Sequence, residues 1–308
     1  MGIPFGGIAF FDSGIGGLTV LSECEKALRG ENLYYYGDNT HAPYGNLPFE
    51  QIRSYVKRAF DTFARLRVKA AVVACNTVTA LLIEELREKY PFPIIGTEPA
   101  VLQAAKRGGD VFVLTTRATY ESERLKILCT RAKEEYPSCT VRAFACDKLA
   151  GEIERGLLDS ARTYSQFLPN GTPRGVVLGC THYIYIKKYI ESFYGCPSYD
   201  GNKGIAARLA QIIAGDIAKN LFFLTTNPSC FDKNRDEKPL LSNFSPKTQE
   251  KQTFFRIKQT EVNNANKCSC YVFKKDRKNL IKTQYNQIYF LTKTGQKNRE
   301  IYKQMFVL

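Results

Sequence analysis

Val72-Val73-Ala74-Cys75-Asn76-Thr77 and Val176-Val177-Leu178-Gly179-Cys180-Thr181-His182 follow one plan. In each, a Val-rich run ends in a small residue, a cysteine follows, then short hydrogen-bonding side chains, then helical patterning. A lone cysteine at such a point reads as a buried filler. Two in matching contexts, 105 residues apart, mark equivalent points of two related halves. Working outward, similar β-branched or aromatic runs occur at Ile8–Phe11, Leu33–Tyr36, Ala70–Ala74, Pro93–Ile95, Val111–Leu114, Val141–Ala145 and Val176–Leu178. Helical patterns lie among them at Leu18–Leu28, Phe49–Leu66, Val78–Tyr90, Tyr120–Tyr136 and Ile205–Ala218. This alternation predicts an α/β fold, with mostly parallel sheets flanked by helices. In such sheets ligands bind beyond the carboxyl ends of strands, so the residues just after each run are where chemistry is expected.

A chain of 308 residues suggests two domains at about 150 residues each. Hydrophobic residues make up 44% and charged residues 24%, which excludes wholesale disorder. No run approaches the roughly 18 apolar residues of a membrane span. The opening Met1-Gly2-Ile3-Pro4-Phe5-Gly6 lacks a basic region followed by an apolar stretch, so the expectation is a cytoplasmic protein whose ten cysteines are mostly free thiols. The net charge of +14 is uneven. Residues 232–308 hold 17 Lys and Arg against 7 Asp and Glu, and the other 231 residues hold 27 against 23. The body is therefore enzyme-like in charge rather than a nucleic-acid surface. The basic C-terminal extension carries scattered Phe and Tyr and Cys268-Ser269-Cys270, but no His and no second Cys pair, which argues against zinc. It reads as a solvated appendage or an irregular added domain, or as a basic, aromatic-bearing stretch that touches nucleic acid.

A thiolate is both a base and a nucleophile, and a free thiol titrates at about 8.5, lower near a helix N-terminus or a cation. Both Cys75 and Cys180 stand where a strand hands over to a helix, so the helix dipole is expected to favour the thiolate. Two such groups on opposing walls suit stereoinversion. One takes a proton from a carbon while the other delivers one to the opposite face. Asp12-Ser13-Gly14-Ile15-Gly16-Gly17 follows the first strand. It has neither the Lys of a P-loop nor the glycine spacing of a dinucleotide fingerprint. Asp12-Ser13 reads either as a helix N-cap or as a carboxylate at the cleft. Gly37-Asp38 and Pro43-Tyr44-Gly45 read as a turn or a substrate-lining loop. Of the two histidines, His182 stands two residues from Cys180 and can exchange a proton near neutral pH, whereas His41 reads as a loop residue.

This set of motifs, from Asp12-Ser13-Gly14 through Cys75-Asn76-Thr77 to Gly179-Cys180-Thr181-His182-Tyr183, resembles the glutamate racemases of the aspartate/glutamate racemase family, in the family's order, over about residues 7–230. The resemblance implies cofactor-independent interconversion of L- and D-glutamate, supplying D-glutamate for peptidoglycan and so for cell shape. Racemisation of another acidic amino acid such as aspartate is the neighbouring alternative. It also implies two α/β lobes with the active site in the cleft between them, commonly in a homodimer. The first lobe is 1–97 with 205–231, the second is 98–204, and 232–308 has no counterpart. By family roles, Cys75 and Cys180 are the two acid/base catalysts, Asp12 assists Cys75, His182 assists Cys180, and Glu154 steadies His182, with Glu152 close by. Asp12, Ser13, Tyr44, Gly45, Asn76, Thr77, Thr181 and His182 hold the substrate, and Thr116 and Thr119 help. No metal and no cofactor is implied, and a lysine in a pyridoxal motif or a metal-ligand cluster is not evident. The sequence departs from the pattern at Ile184, where proline usually follows Cys-Thr-His-Tyr, and at Asp200-Gly201, where Asp-Ser is usual.

Overall fold

The computed structural model describes residues 6–28, 31–156 and 163–226, with only the backbone for 216–226, and the backbone of three further strands, 260–261, 269–274 and 287–291. The opening Met1–Phe5, Cys268 and most of 232–308 lie outside the described residues. The first half runs β1 (Ile8–Asp12), α1 (Leu18–Ala27), β2 (Asn32–Gly37), α2 (Phe49–Arg65), β3 (Ala70–Val73), α3 (Asn76–Lys89) and β4 (Ile94–Gly96). The second runs α4 (Val101–Ala105), β5 (Gly109–Thr115), α5 (Arg117–Glu121), α6 (Glu123–Glu135), β6 (Cys139–Ala145), α7 (Leu149–Gly156), β7 (Gly175–Gly179), α8 (Lys187–Tyr194) and β8 (Ser198–Tyr199). The chain closes with α9 (Asn202–Thr226) and the short strands β9 (Thr260–Glu261), β10 (Ser269–Lys274) and β11 (Gln287–Leu291).

The strands form two sheets, ordered β4-β3-β1-β2-β11-β10-β9 and β6-β5-β7-β8. Within the first, β1 to β4 pair in parallel; all pairs of the second are parallel. Reversing the second order gives β8-β7-β5-β6, which matches β4-β3-β1-β2 strand for strand. The structure thus bears out the α/β class with two parallel sheets, and β3 and β7 are equivalent strands.

The central parallel strands β1, β3 and β7 are buried on both faces, as parallel strands covered by helices require. Along β1, Ala9 and Phe11 point towards α2 and α3, among Phe60, Phe63 and Leu82. Ile8 and Phe10 point the other way, among Leu18, Leu21, Ile205 and Leu209 of α1 and α9. The two-residue period of the strand dictates this alternation. The buried positions Ile52, Val56, Ala59, Phe60 and Phe63 form the matching helical stripe on α2.

Two elements differ from the sequence reading. The single helix expected over Tyr120–Tyr136 is broken at Ser122, whose hydroxyl accepts the Leu125 amide at 3.2 Å and so starts α6 afresh. The C-terminal extension is not wholly an appendage: β11 pairs in parallel with β2, and β10 and β9 continue the first sheet antiparallel.

Candidate active site

The carboxyl ends of β1, β3, β5 and β7 converge where the two sheets face each other. Cys75 stands between β3 and α3 and Cys180 directly after β7; they are 6% and 7% exposed, so the cleft between the lobes is nearly closed to water. Around Cys75, the sulfur lies 3.6 Å from Ser13 Oγ. Burial pushes its thiol up to about 12; the Asp12 and Cys180 charges add to this, and the Val78 amide and Ser13 hydroxyl oppose it. The expectation that the α3 dipole favours a thiolate here is therefore corrected: loss of solvation outweighs it.

Asp12 is fully buried. Its Oδ1 accepts the Gly14 amide at 2.8 Å, and its Oδ2 accepts the Thr181 hydroxyl from the other lobe at 3.2 Å. Burial raises its carboxyl above the usual range, against the pull of His182 and these donors. Asp12-Ser13 is not the N-cap of α1, because that position is held by Gly17. Asp12 acts on Cys75 through charge.

Cys180 is followed by a tight 3-10 turn, Thr181–Ile186, rather than an α-helix. Tyr183 pins this turn by donating its hydroxyl to the Thr115 and Cys146 carbonyls at 3.1 and 3.2 Å, and the turn accommodates Ile184. His182 Nδ1 lies 3.8 Å from Cys180 Sγ, and its Nε2 lies 3.1 Å from Glu154 Oε2. Burial disfavours charge on this imidazole, yet its contacts with the Cys180 sulfur and the Glu154 carboxylate hold its pKa well above the usual histidine value. Of the two carboxylates in α7, Glu154 is the one at His182; Glu152 pairs with Arg155.

The remaining predicted residues divide between lining and scaffolding. Thr77 Oγ1 meets Thr116 Oγ1 across the lobes at 2.9 Å, and Thr116 donates to Thr119 at 3.1 Å. The Asn76 amide donates to the Thr97 carbonyl at 3.3 Å. Tyr44 is buried with its hydroxyl on Asp38 Oδ2 at 2.6 Å, and His41 shares that carboxylate at 2.8 Å while stacking on Tyr55. Gly45 lets the first lobe close on the second, since a Cβ there would lie 2.8 Å from Thr116 Cβ. At the other departure, a Cβ on Gly201 would lie 2.9 Å from the Glu98 carbonyl, which accounts for glycine at this position.

The sequence profile of the Asp/Glu/hydantoin racemase family matches residues 16–209, which contain both cysteine turns. The chain belongs to this family. The glutamate racemase of Clostridium botulinum (strain Okra / Type B1) is 37% identical over 66% of this chain and 82% of its own length. Among solved structures, Escherichia coli glutamate racemase in complex with L-glutamate and the activator UDP-MurNAc-ala is 28% identical, with a TM-score of 0.62 over 69% of this chain and 83% of that one. Glutamate racemase from Francisella tularensis in complex with D-glutamate is 25% identical, with a TM-score of 0.56 over 68% and 81%. The resemblance drawn from the motifs holds, and the chain is an isomerase. Among the described residues, no helix is long and apolar enough to cross a membrane.

One residue at the site escaped sequence reasoning. Asn39, just after β2, donates its amide to Glu154 Oε1 at 3.0 Å. It adjoins the Gly37-Asp38 turn, but nothing local marks a partner 115 residues away.

Proposed function

We propose that the protein interconverts L- and D-glutamate without a cofactor, with Cys75 and Cys180 as the paired acid and base, and that the D-glutamate enters peptidoglycan. The observation that carries this reading is the pair of buried sulfurs at the ends of equivalent strands, one beside a neutral hydroxyl and the other beside an imidazole. His182 places a positive charge next to Cys180, so this sulfur is set to take the α-proton. Cys75, held as a thiol by burial, is set to deliver one to the opposite face. The carbon exchanges one proton for another, and the enzyme is left with Cys75 as thiolate and Cys180 as thiol, ready for the reverse direction.

The α-proton of an amino acid is very weakly acidic, so the carbanion must be stabilised by preorganised donors in a dry site. Ser13, Asn76, Thr77 and Thr181, with the backbone at Tyr44-Gly45, are the donors in this scheme. Substrate enters when the lobes part, breaking the Thr181–Asp12 and Thr77–Thr116 bonds, and closure expels water. The named complexes with L- and D-glutamate support the choice of substrate. In this reading the catalytic unit is 1–97 with 205–231 and 98–204, acting as a cytoplasmic homodimer.

The test is a chiral assay on purified protein with no added cofactor. L-glutamate is expected to give D-glutamate, with deuterium entering the α-position of the product in deuterium oxide. Faster turnover of L-aspartate than of L-glutamate would move the substrate assignment, and racemisation surviving Cys75→Ala and Cys180→Ala together would overturn the mechanism.

A further inference from the structure

Glu154 is held from both lobes. Its Oε2 faces His182 Nε2 at 3.1 Å within the second lobe, and its Oε1 accepts the Asn39 amide of the first lobe at 3.0 Å. Its side chain is only 12% exposed, and it stands in the last turn of α7, where the negative end of the helix dipole disfavours an anion. A carboxylate in that place needs hydrogen bonds to stay ionised and aimed. One of them comes from the opposite lobe, from the strand equivalent to the one that precedes α7: Asn39 follows β2 as Glu154 follows β6.

We propose that Asn39 is a positioning residue, whose amide holds Glu154 ionised and directed at His182 only when the lobes are closed, so that closure completes the acid–base chain behind Cys180. The proposal rests on the two-cysteine reading. It makes His182 sensitive to the state of the cleft: with the lobes apart, Glu154 loses the Asn39 donor, and the imidazolium loses part of its support.

Asn39→Asp preserves shape but replaces the donor with a second carboxylate, and Asn39→Ala removes the donor without adding a charge. The expected losses in kcat are about tenfold for Asn39→Ala and about 100-fold for Asn39→Asp at pH 8, with KM little changed. Lowering the pH lets the two facing carboxylates share a proton, which restores an O–H donor. The activity of Asn39→Asp relative to the parent protein is therefore expected to rise as pH falls from about 8.5 to 6. The charged and titratable groups around the pair are His182, Asp12, Tyr35 and Tyr185, with Asp38 and His41 on the Asn39 loop, and the Glu154→Gln background separates their response to the new charge from that of the carboxylate pair. In a Glu154→Gln background, Asn39→Ala is expected to cost less than about twofold. A pH-independent ratio, a loss for Ala as large as for Asp, or full additivity with Glu154→Gln would overturn the proposal while leaving the two-cysteine mechanism standing. Racemisation that persists without both cysteines would remove the mechanism, and this proposal with it.

Discussion

The turns that carry Cys75 and Cys180 occupy equivalent points of two sheets, and each is tied to the other lobe in the same manner. Thr77, after Cys75, bonds Thr116 at the end of β5, and Thr181, after Cys180, bonds Asp12 at the end of β1. The backbone plan is shared; the side chains are not. Cys75 is left with a serine hydroxyl and a buried carboxylate, an environment that keeps a proton on sulfur. Cys180 has an imidazole backed by Glu154. The proposed two-base reaction requires its two groups in opposite protonation states at any moment, and the proposal assigns that difference to the different neighbours of two similar frames.

The sharpest way to break this comparison is to remove either sulfur. Cys75→Ala and Cys180→Ala are each expected to lower racemisation at least about 10³-fold, with far-ultraviolet circular dichroism unchanged; similar rates in one of the two variants would mean that a single base suffices. Gly16→Ala comes next. A Cβ there collides with Thr181 Oγ1 and lies 2.8 Å from His182 Nδ1, so the Cys180 turn must shift. About 100-fold is expected from kcat, because displacements near 1 Å misalign reacting atoms. Thr181→Val removes the cross-lobe donor to Asp12 along with a proposed substrate donor and is expected to cost about tenfold in kcat/KM; an unchanged kcat/KM would contradict both roles.

The smallest effect separates the halves by pH. The Cys75 thiol is raised from 9.0 to about 12 in the folded protein. Its stabilising contribution is thus fully present below about pH 9 and is lost as pH rises from there towards 12, because only the unfolded chain releases the proton in that interval. Urea titrations at pH 8 and pH 10 should show Cys75→Ser losing about 1 kcal/mol less than the parent protein over that step. Equal losses in both proteins would contradict a thiol held protonated by burial.

Much of the fold was readable because strand runs such as Ile8–Phe11 and Val176–Leu178 are apolar on both faces, and helices such as α2 carry a clean apolar stripe. The break at Ser122 was not, since the residues on either side keep a helical pattern and only the captured Leu125 amide reveals a restart. The short β8 and α4 carry too few residues for periodicity to show. The joining of β11 to β2 depends on residues about 250 positions apart, a pairing that local pattern does not encode.

At the site, residue types and spacing by themselves marked the two cysteine turns and the histidine at 182, and the resemblance of the motifs pointed to the family and to Asp12 beside Cys75. All of these are local, because strand, small residue, cysteine and hydroxyl follow one another along the chain. Tertiary structure alone decided that Thr181 meets Asp12 and Asn39 meets Glu154, and it chose Glu154 over Glu152 as the partner of His182. It also decided that burial, not the helix dipole, governs the Cys75 thiol. Solvation and cross-lobe hydrogen bonds depend on what surrounds an atom in space, and two lobes packed against each other bring together groups that no stretch of sequence holds side by side.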